Sequence, residues 1–242
     1  MHLLAAQPGM VTDGSEAVDL GQQPGDVVIL SAAESELACL AGAQGRLVDA
    51  FGDQTPSLRL ASLLQLGHNM SVDLYIEDVL SDAKFIIVRI LGGRGYWDYG
   101  IEQLVALARA KDIPLVLLPG DDQPDAELLS LSTVKGREYQ NIWRYLIEGG
   151  PQNSENLLRL IYENLNSSVN WNWSPAAPLV KAGGYWPGKA QASLDEIRVN
   201  WIENQPVTPI IFYRSLVQAA NLDVVDALVE ELCANGLNPL PI

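Results

Sequence analysis

Three short runs constrain this 242-residue chain more than anything else in it: DVVILSA at 26–32, FIIVRIL at 85–91 and PLVLLPG at 114–120. Each is apolar on successive residues and rich in branched aliphatic side chains. Each therefore reads as a strand covered on both faces, the pattern of a parallel sheet. Segments with helical spacing lie between them. ESELACLAG (34–42) is helical and ends on a glycine stop. PSLRLASLLQL (56–66) reads as a short strand passing into a loop. Ser71 stands as N-cap to a helix whose Val72, Tyr75, Ile76, Val79, Leu80 and Ala83 form one apolar stripe. Ile101, Leu104, Val105 and Ala108 line one face of a helix over about 99–110. Strand alternating with helix predicts an α/β fold, a flavodoxin- or Rossmann-like parallel-sheet domain over residues 1–135.

Beyond residue 135 the pattern turns helical. REYQNIWRYLIEGG and PQNSENLLRLIYENL read as two helices, the second opened by Pro151. A stretch rich in Pro, Ser, Gly and Trp follows, which Trp171, Trp173, Tyr185 and Trp186 are expected to anchor to the body. Residues 136–205 thus read as a helical and Trp/Pro-rich connection. PIIFYR (209–214), NLDVVDALVEELCANG (221–236) and LNPLPI (237–242) read strand, helix, strand, with Asn221 as cap and Gly236 as stop. One βαβ unit cannot cover both faces of its sheet, so residues 206–242 are expected to begin a second, truncated α/β domain. The other reading adds these strands to the first sheet.

The chain carries 30 acidic and 15 basic residues, a formal net charge of −15. No basic run exists to neutralise phosphates or an anionic bilayer, which argues against nucleic-acid and membrane partners. The longest apolar runs are strand-length, short of the ~20 residues of a membrane helix. The opening MHLLAAQPGMVTDG lacks the charged region of a signal peptide. Cys39 and Cys233 are far apart and form no CxxC, consistent with reduced thiols in a cytoplasmic protein.

Ligands of parallel sheets sit at the carboxyl ends of the strands. Three loops leave such ends here: LGHNMS, GGRGYWDYG and PGDDQPD. GGRGYWDYG is no dinucleotide fingerprint, because Asp98 replaces the third glycine, and no P-loop, because Ile101-Glu102 stands where Lys-Ser/Thr is required. Tyr96, Trp97 and Tyr99 beside Arg94 suit a large planar ligand bearing carboxylates; a tight turn with packed aromatics is the competing reading. Arg89, inside FIIVRIL, reads either as half of a salt bridge or as an anion contact at a strand end. PGDDQPD fits ordinary turn chemistry better than a Mg²⁺ loop. His68 precedes a helix, where the dipole favours the neutral imidazole that ligates metal or accepts a hydrogen bond; a satisfied loop histidine is the alternative. Asp73 and Glu77 share a solvated helix face. GxSxG and HExxH are absent, and the second histidine, His2, lies near the terminus.

Five stretches, in order and over nearly the whole chain, carry a resemblance: LRLASLLQLGHNMSVDLYIEDVL, FIIVRILGGRGYWDYGIEQL, LPGDDQPD, LIEGGPQNSENLLRL and FYRSLVQAANLDVVDALVEELCANGLNPLPI. Together they resemble the N-terminal portion of the large subunit of aerobic cobaltochelatase, a family that includes the large subunit of magnesium chelatase. The resemblance implies a tetrapyrrole-binding subunit in cobalamin biosynthesis. The complex in that family inserts Co²⁺ into hydrogenobyrinic acid a,c-diamide with ATP hydrolysis. A separate AAA+ subunit handles the ATP, assisted by a subunit with an integrin-like metal-binding domain, in keeping with the lack of a Walker motif here. The family's large subunit is several times longer, so this chain is expected to be a fragment that is inactive alone and binds no cofactor itself. His68, Arg89, Arg94, Tyr96 and Trp97 are its candidate tetrapyrrole contacts, and no catalytic residue is assigned. The alternatives are a magnesium chelatase fragment, a non-catalytic interaction module, and an independent flavodoxin-like domain for another anion.

Overall fold

The computed structural model describes residues 16–242; His2 and the terminal leader reading lie outside them. The first unit runs β1 (Val27–Ser31), α1 (Glu34–Phe51), β2 (Leu58–Ser62), α2 (Asn69–Asp78), β3 (Phe85–Ile90), α3 (Asp98–Lys111), β4 (Leu115–Pro119), α4 (Ala126–Leu131), α5 (Gly136–Glu148) and α6 (Pro151–Leu165). Its four strands are all parallel, in the order β2-β1-β3-β4. The α/β parallel-sheet fold is therefore the one the apolar runs predict.

Alternation along the strands divides the core into two layers. Val28, Leu30, Ile86, Val88, Leu115 and Leu117 face α2 and α3. Val27, Ile29, Phe85, Ile87, Val116 and Leu118 face α1, α5 and α6. In α5, Tyr139, Ile142, Trp143 and Leu146 recur at helical spacing and are all buried on that second face. Helices α5 and α6, read from the sequence as a connection, are thus the outer layer of the first sheet. Trp171 closes this layer with no exposed surface, 4.8 Å from the ring of Phe51 and 5.4 Å from that of Tyr162.

Three local expectations change. Helix α1 runs through Gly42, because Cys39, Leu40, Ala43 and Leu47 continue its buried stripe past the glycine. It stops at Gly52, which takes the left-handed φ of +55° that Gly42 does not. Helix α2 begins at Asn69, so its cap is His68, whose Nδ1 accepts from the Met70 amide at 3.1 Å. Ser71, the expected cap, is buried and accepts from the Val18 amide instead.

The amino ends of three strands share one clamp. The Asp26 carboxylate accepts from the Ser57 amide (2.8 Å) and hydroxyl (2.7 Å) and pairs with Lys84 at 2.7 Å. These residues immediately precede β1, β2 and β3.

After Trp171 the chain forms a hairpin of β5 (Gly184–Trp186) and β6 (Lys189–Ala192), then α7 (Leu194–Arg198), β7 (Val207–Ile210), α8 (Arg214–Gln218), α9 (Asp223–Ala234) and β8 (Asn238–Pro241). Strands β7 and β8 pair in parallel around α9, in a sheet separate from the first. The strand read at 209–214 sits at 207–210, and α8 begins where it was expected to end. Helix α9 starts at Asp223 with Leu222 at the cap position and no side-chain cap, so Asn221 does not cap it. At its end the Gly236 and Leu237 amides return to the Cys233 and Leu232 carbonyls, as the glycine stop predicts. Tyr185 ties hairpin to βαβ unit, edge-on to Phe212 and donating to Asp226 at 2.6 Å.

Two expectations follow. A Cβ on Gly100 would lie 2.2–2.5 Å from the buried Trp97 ring. Gly100→Ala, a change that normally favours a helix by up to ~1 kcal/mol, should instead destabilise by ~1–3 kcal/mol through overpacking, measured by urea unfolding. Burial alone would raise the Asp26 carboxyl, but Lys84 and Ser57 outweigh it and hold it at about 2, below the ordinary 3.8. Its contribution is complete above 3.8 and is lost as the pH falls through about 2. The stability gap between wild type and Asp26→Asn should therefore close over that interval in acid unfolding curves.

Candidate functional site

Strand order reverses between β1 and β3, the position at which parallel α/β sheets bind ligands. On the α1 side of the sheet the strand register lays residues in ranks. One rank is Ile29, Leu60, Ile87 and Val116; the next, at the carboxyl edge, is Ser31, Ser62, Arg89 and Leu118. The apolar face thus turns polar in three adjacent strands, at the reversal itself.

A cavity of about 190 Å³ opens there. Ser31, Glu36, Cys39, Arg89, Ser154 and Gln218 are among its walls. Arg89 and Glu36 form an ion pair, each side chain only 13% exposed. The Arg89 guanidinium also donates to the carbonyls of Pro119 (3.4 Å), Leu146 (3.0 Å) and Gly120 (3.2 Å). The other Glu36 oxygen accepts from the Ser31 hydroxyl at 2.6 Å, and Ser31 in turn accepts from the Ala33 amide. The Ser154 hydroxyl reaches the Cys39 sulfur at 3.4 Å. Burial pushes the Cys39 thiol up, which keeps it protonated and a poor nucleophile. Helix α8 roofs the cavity: the Gln218 amide donates to the carbonyls of Ile147 and Glu148, and the Gly150 amide to the Gln218 carbonyl at 2.8 Å.

Of the five residues singled out from the sequence, only Arg89 lines this cavity. Arg89 is half of a salt bridge, with Glu36, near the carboxyl end of β3. His68 caps α2. Arg94 is held by Asp98 (2.5 Å), Glu102 (3.0 Å) and Glu127 (3.2 Å). Tyr96 is 56% exposed, whereas Trp97 is in the core and donates its Nε1–H to the Leu66 carbonyl at 2.8 Å. The Asp-rich loop is turn chemistry: Asp121 accepts from the Gln123 amide, and Asp125 caps α4 through the Leu128 amide. Among the described residues no cluster of three or more His, Cys, Asp or Glu is arranged to hold a metal. Among them, too, no helix is long and apolar enough to cross a membrane. Glu36, Cys39, Ser154 and Gln218 were not singled out by sequence reasoning. The available signal was a polar residue at or next to the carboxyl end of each of three strands, with Glu36 five positions after Ser31.

Fold and site define a class: a doubly wound α/β domain with a small polar cavity at its strand-order reversal, followed by a hairpin and a βαβ unit. Residues 143–242 match the family model described as CobN/Magnesium Chelatase. The chain is 42% identical over 243 residues to the aerobic cobaltochelatase subunit CobN of Pseudomonas aeruginosa, and 42% over 250 residues to that of a Sinorhizobium species. Each match takes in all of this chain and 19% of the relative. The catalytic subunit of cobaltochelatase from Mycobacterium tuberculosis superposes with a TM-score of 0.63 at 23% identity, over 89% of this chain and 16% of that one, a likeness of fold. The chain belongs to the cobaltochelatase and magnesium chelatase large-subunit family and corresponds to the N-terminal part of those subunits. It spans about a fifth of the length of the curated relatives it matches.

Breaking a buried ion pair from one side leaves an uncompensated charge, whereas replacing both partners need not. Arg89→Met should lower the unfolding free energy by about 3–5 kcal/mol, and adding Glu36→Leu should restore most of it. Urea titration of the two single variants and the double variant measures the coupling.

Proposed function

We propose that this chain forms the front part of the tetrapyrrole-handling large subunit of a cobaltochelatase, working in the cytoplasm in cobalamin biosynthesis. The observation that carries the reading is the 42% identity to CobN subunits across the whole chain. The assembled enzyme inserts Co²⁺, its substrate metal, into hydrogenobyrinic acid a,c-diamide at the expense of ATP. An AAA+ subunit hydrolyses the ATP, and a subunit with an integrin-like metal-binding domain assists. The chain by itself holds neither Co²⁺ nor ATP and is inactive alone.

Within that subunit the domain acts chiefly as scaffold. Two observations favour this over a complete tetrapyrrole pocket. The cavity at the strand-order reversal is about 190 Å³, below the ~300–1,000 Å³ of sites for drug-sized ligands, so a macrocycle does not enter it. Of the three aromatics beside Arg94, Trp97 is buried, Tyr99 is half-buried with its hydroxyl donating to Asp73, and Tyr96 is exposed. In the first unit, contact with the edge of the macrocycle ring is assigned to the open loop carrying Arg94 and Tyr96.

The test is a chimera in which this chain replaces the matching segment of P. aeruginosa CobN. With the partner subunits, the chimera should insert Co²⁺ and not Mg²⁺ into the corrin-ring substrate. A folded chimera that assembles but lacks cobalt insertion, or prefers Mg²⁺, refutes the assignment. Tyr96→Ala in the chimera should weaken substrate binding severalfold if the loop touches the macrocycle, and leave it unchanged if the domain is scaffold only.

A further inference from the structure

We infer that the cavity at the strand-order reversal is a binding site for a short-chain carboxylate, held by Arg89 and the first turn of α1. A guanidinium has five N–H groups. Four polar partners surround that of Arg89: Glu36 and the carbonyls of Pro119, Leu146 and Gly120. Nη1 serves Glu36 and Leu146, and Nη2 serves Gly120 alone, so one Nη2 hydrogen has no acceptor among the described residues. Glu36 touches the fork at one nitrogen only, leaving its planar edge without the two-point contact that carboxylates make with arginine.

Helix α1 adds to the surplus. It is 18 residues long and begins at an alanine with no side-chain cap. The amides of Glu34 and Ser35 have no acceptor among the described residues, and Ala33 and Ser35 line the cavity. Against these donors, the carboxylate of Glu36 is already engaged by both Ser31 and Arg89.

Donor excess calls for an anion that accepts. Size and charge narrow its class. About 190 Å³ has room for about six waters, enough for a carboxylate on a short alkyl stem. A doubly charged phosphate would meet Glu36 at close range, while a singly charged planar acid matches the open guanidinium edge. The apolar part of the ligand faces Leu91, Leu146 and Ala219 in the same walls. The acid is either free or a side arm of a larger molecule. This site stands independently of the chelatase reading, since it follows from residues of the first unit and α8 alone.

Titration of the 242-residue chain with propionate, followed by calorimetry and by amide NMR shifts at Ser35 and Gly120, tests it. Saturable binding is expected, with propionamide of the same shape binding at least tenfold more weakly. Glu36→Gln, which removes the neighbouring negative charge and keeps the shape, should tighten propionate about tenfold. Arg89→Met with Glu36→Leu, a pair chosen to leave no buried charge alone, should fold and bind nothing. Competition by a corrin-ring acid identifies a side arm as the occupant; its failure to compete identifies a free acid. No saturable response in the wild type, equal response to the amide, no tightening in Glu36→Gln, or binding retained in the folded double variant would each overturn the site.

Discussion

The guanidinium of Arg89 holds together more of this structure than any other single group. It leaves the last inward position of β3 and reaches α1 through Glu36, the end of β4 through Pro119 and Gly120, and the end of α5 through Leu146. A cation at that depth demands such partners, because an unpaired buried charge costs several kcal/mol. Satisfying it fixes where α1 begins and where α5 ends relative to the sheet. Those positions in turn define the walls of the cavity. The polar rank is thus the boundary condition on the layer that α1, α5 and α6 form, and the apolar ranks below it fill the space that it sets.

The same corner joins the two units. Helix α5 ends at Glu148, and the Gly149–Gly150 turn that follows receives Gln218 of α8. The Gln218 side chain lies against Gly149 so closely that a Cβ there would meet it at 3.0 Å. Arg214, one turn earlier, donates to the carbonyls of Leu179 and Val180 and pairs with Glu148. The roof of the cavity therefore belongs to the segment leading into α9 and β8. Whatever shifts α5 against the sheet also moves the base of the βαβ unit.

Strands β1, β3 and β4 were legible because burial on both faces demands apolar residues at every position, and the runs stop abruptly. Helix α2 was legible as a stripe but not in its start. Ser71 is a better cap by type, yet the helix needs Ser71 inside, where its hydroxyl meets the Val18 amide, and His68 caps through Nδ1 instead. The length of α1 was hidden by Gly42, since a glycine stops a helix only when it turns left-handed, and nothing local reports that. Arg89 was recognisable as anomalous, but its partner lies 53 positions earlier, on a helix surface with no periodic mark. Tyr96 and Trp97 are neighbours with opposite fates, because the short turn at Arg94–Tyr96 and the open space at Gly100 admit only the second ring to the core.

Charge explains why anion recognition concentrates at one place in so acidic a chain. Excess carboxylates capture most cations near them: Arg46 goes to Glu155, Lys84 to Asp26, Lys189 to Glu196, and Arg94 to three acids at once. Its three acids neutralise Arg94 before a ligand arrives, which weakens the anion-binding role that its aromatic neighbours suggested. Arg89 escapes the same fate in part because it is buried. Among the described residues one carboxylate reaches it, and its three other partners are backbone carbonyls, which solvate a guanidinium without cancelling its charge. Burial, which made the residue look anomalous in the sequence, is what preserves its capacity to bind.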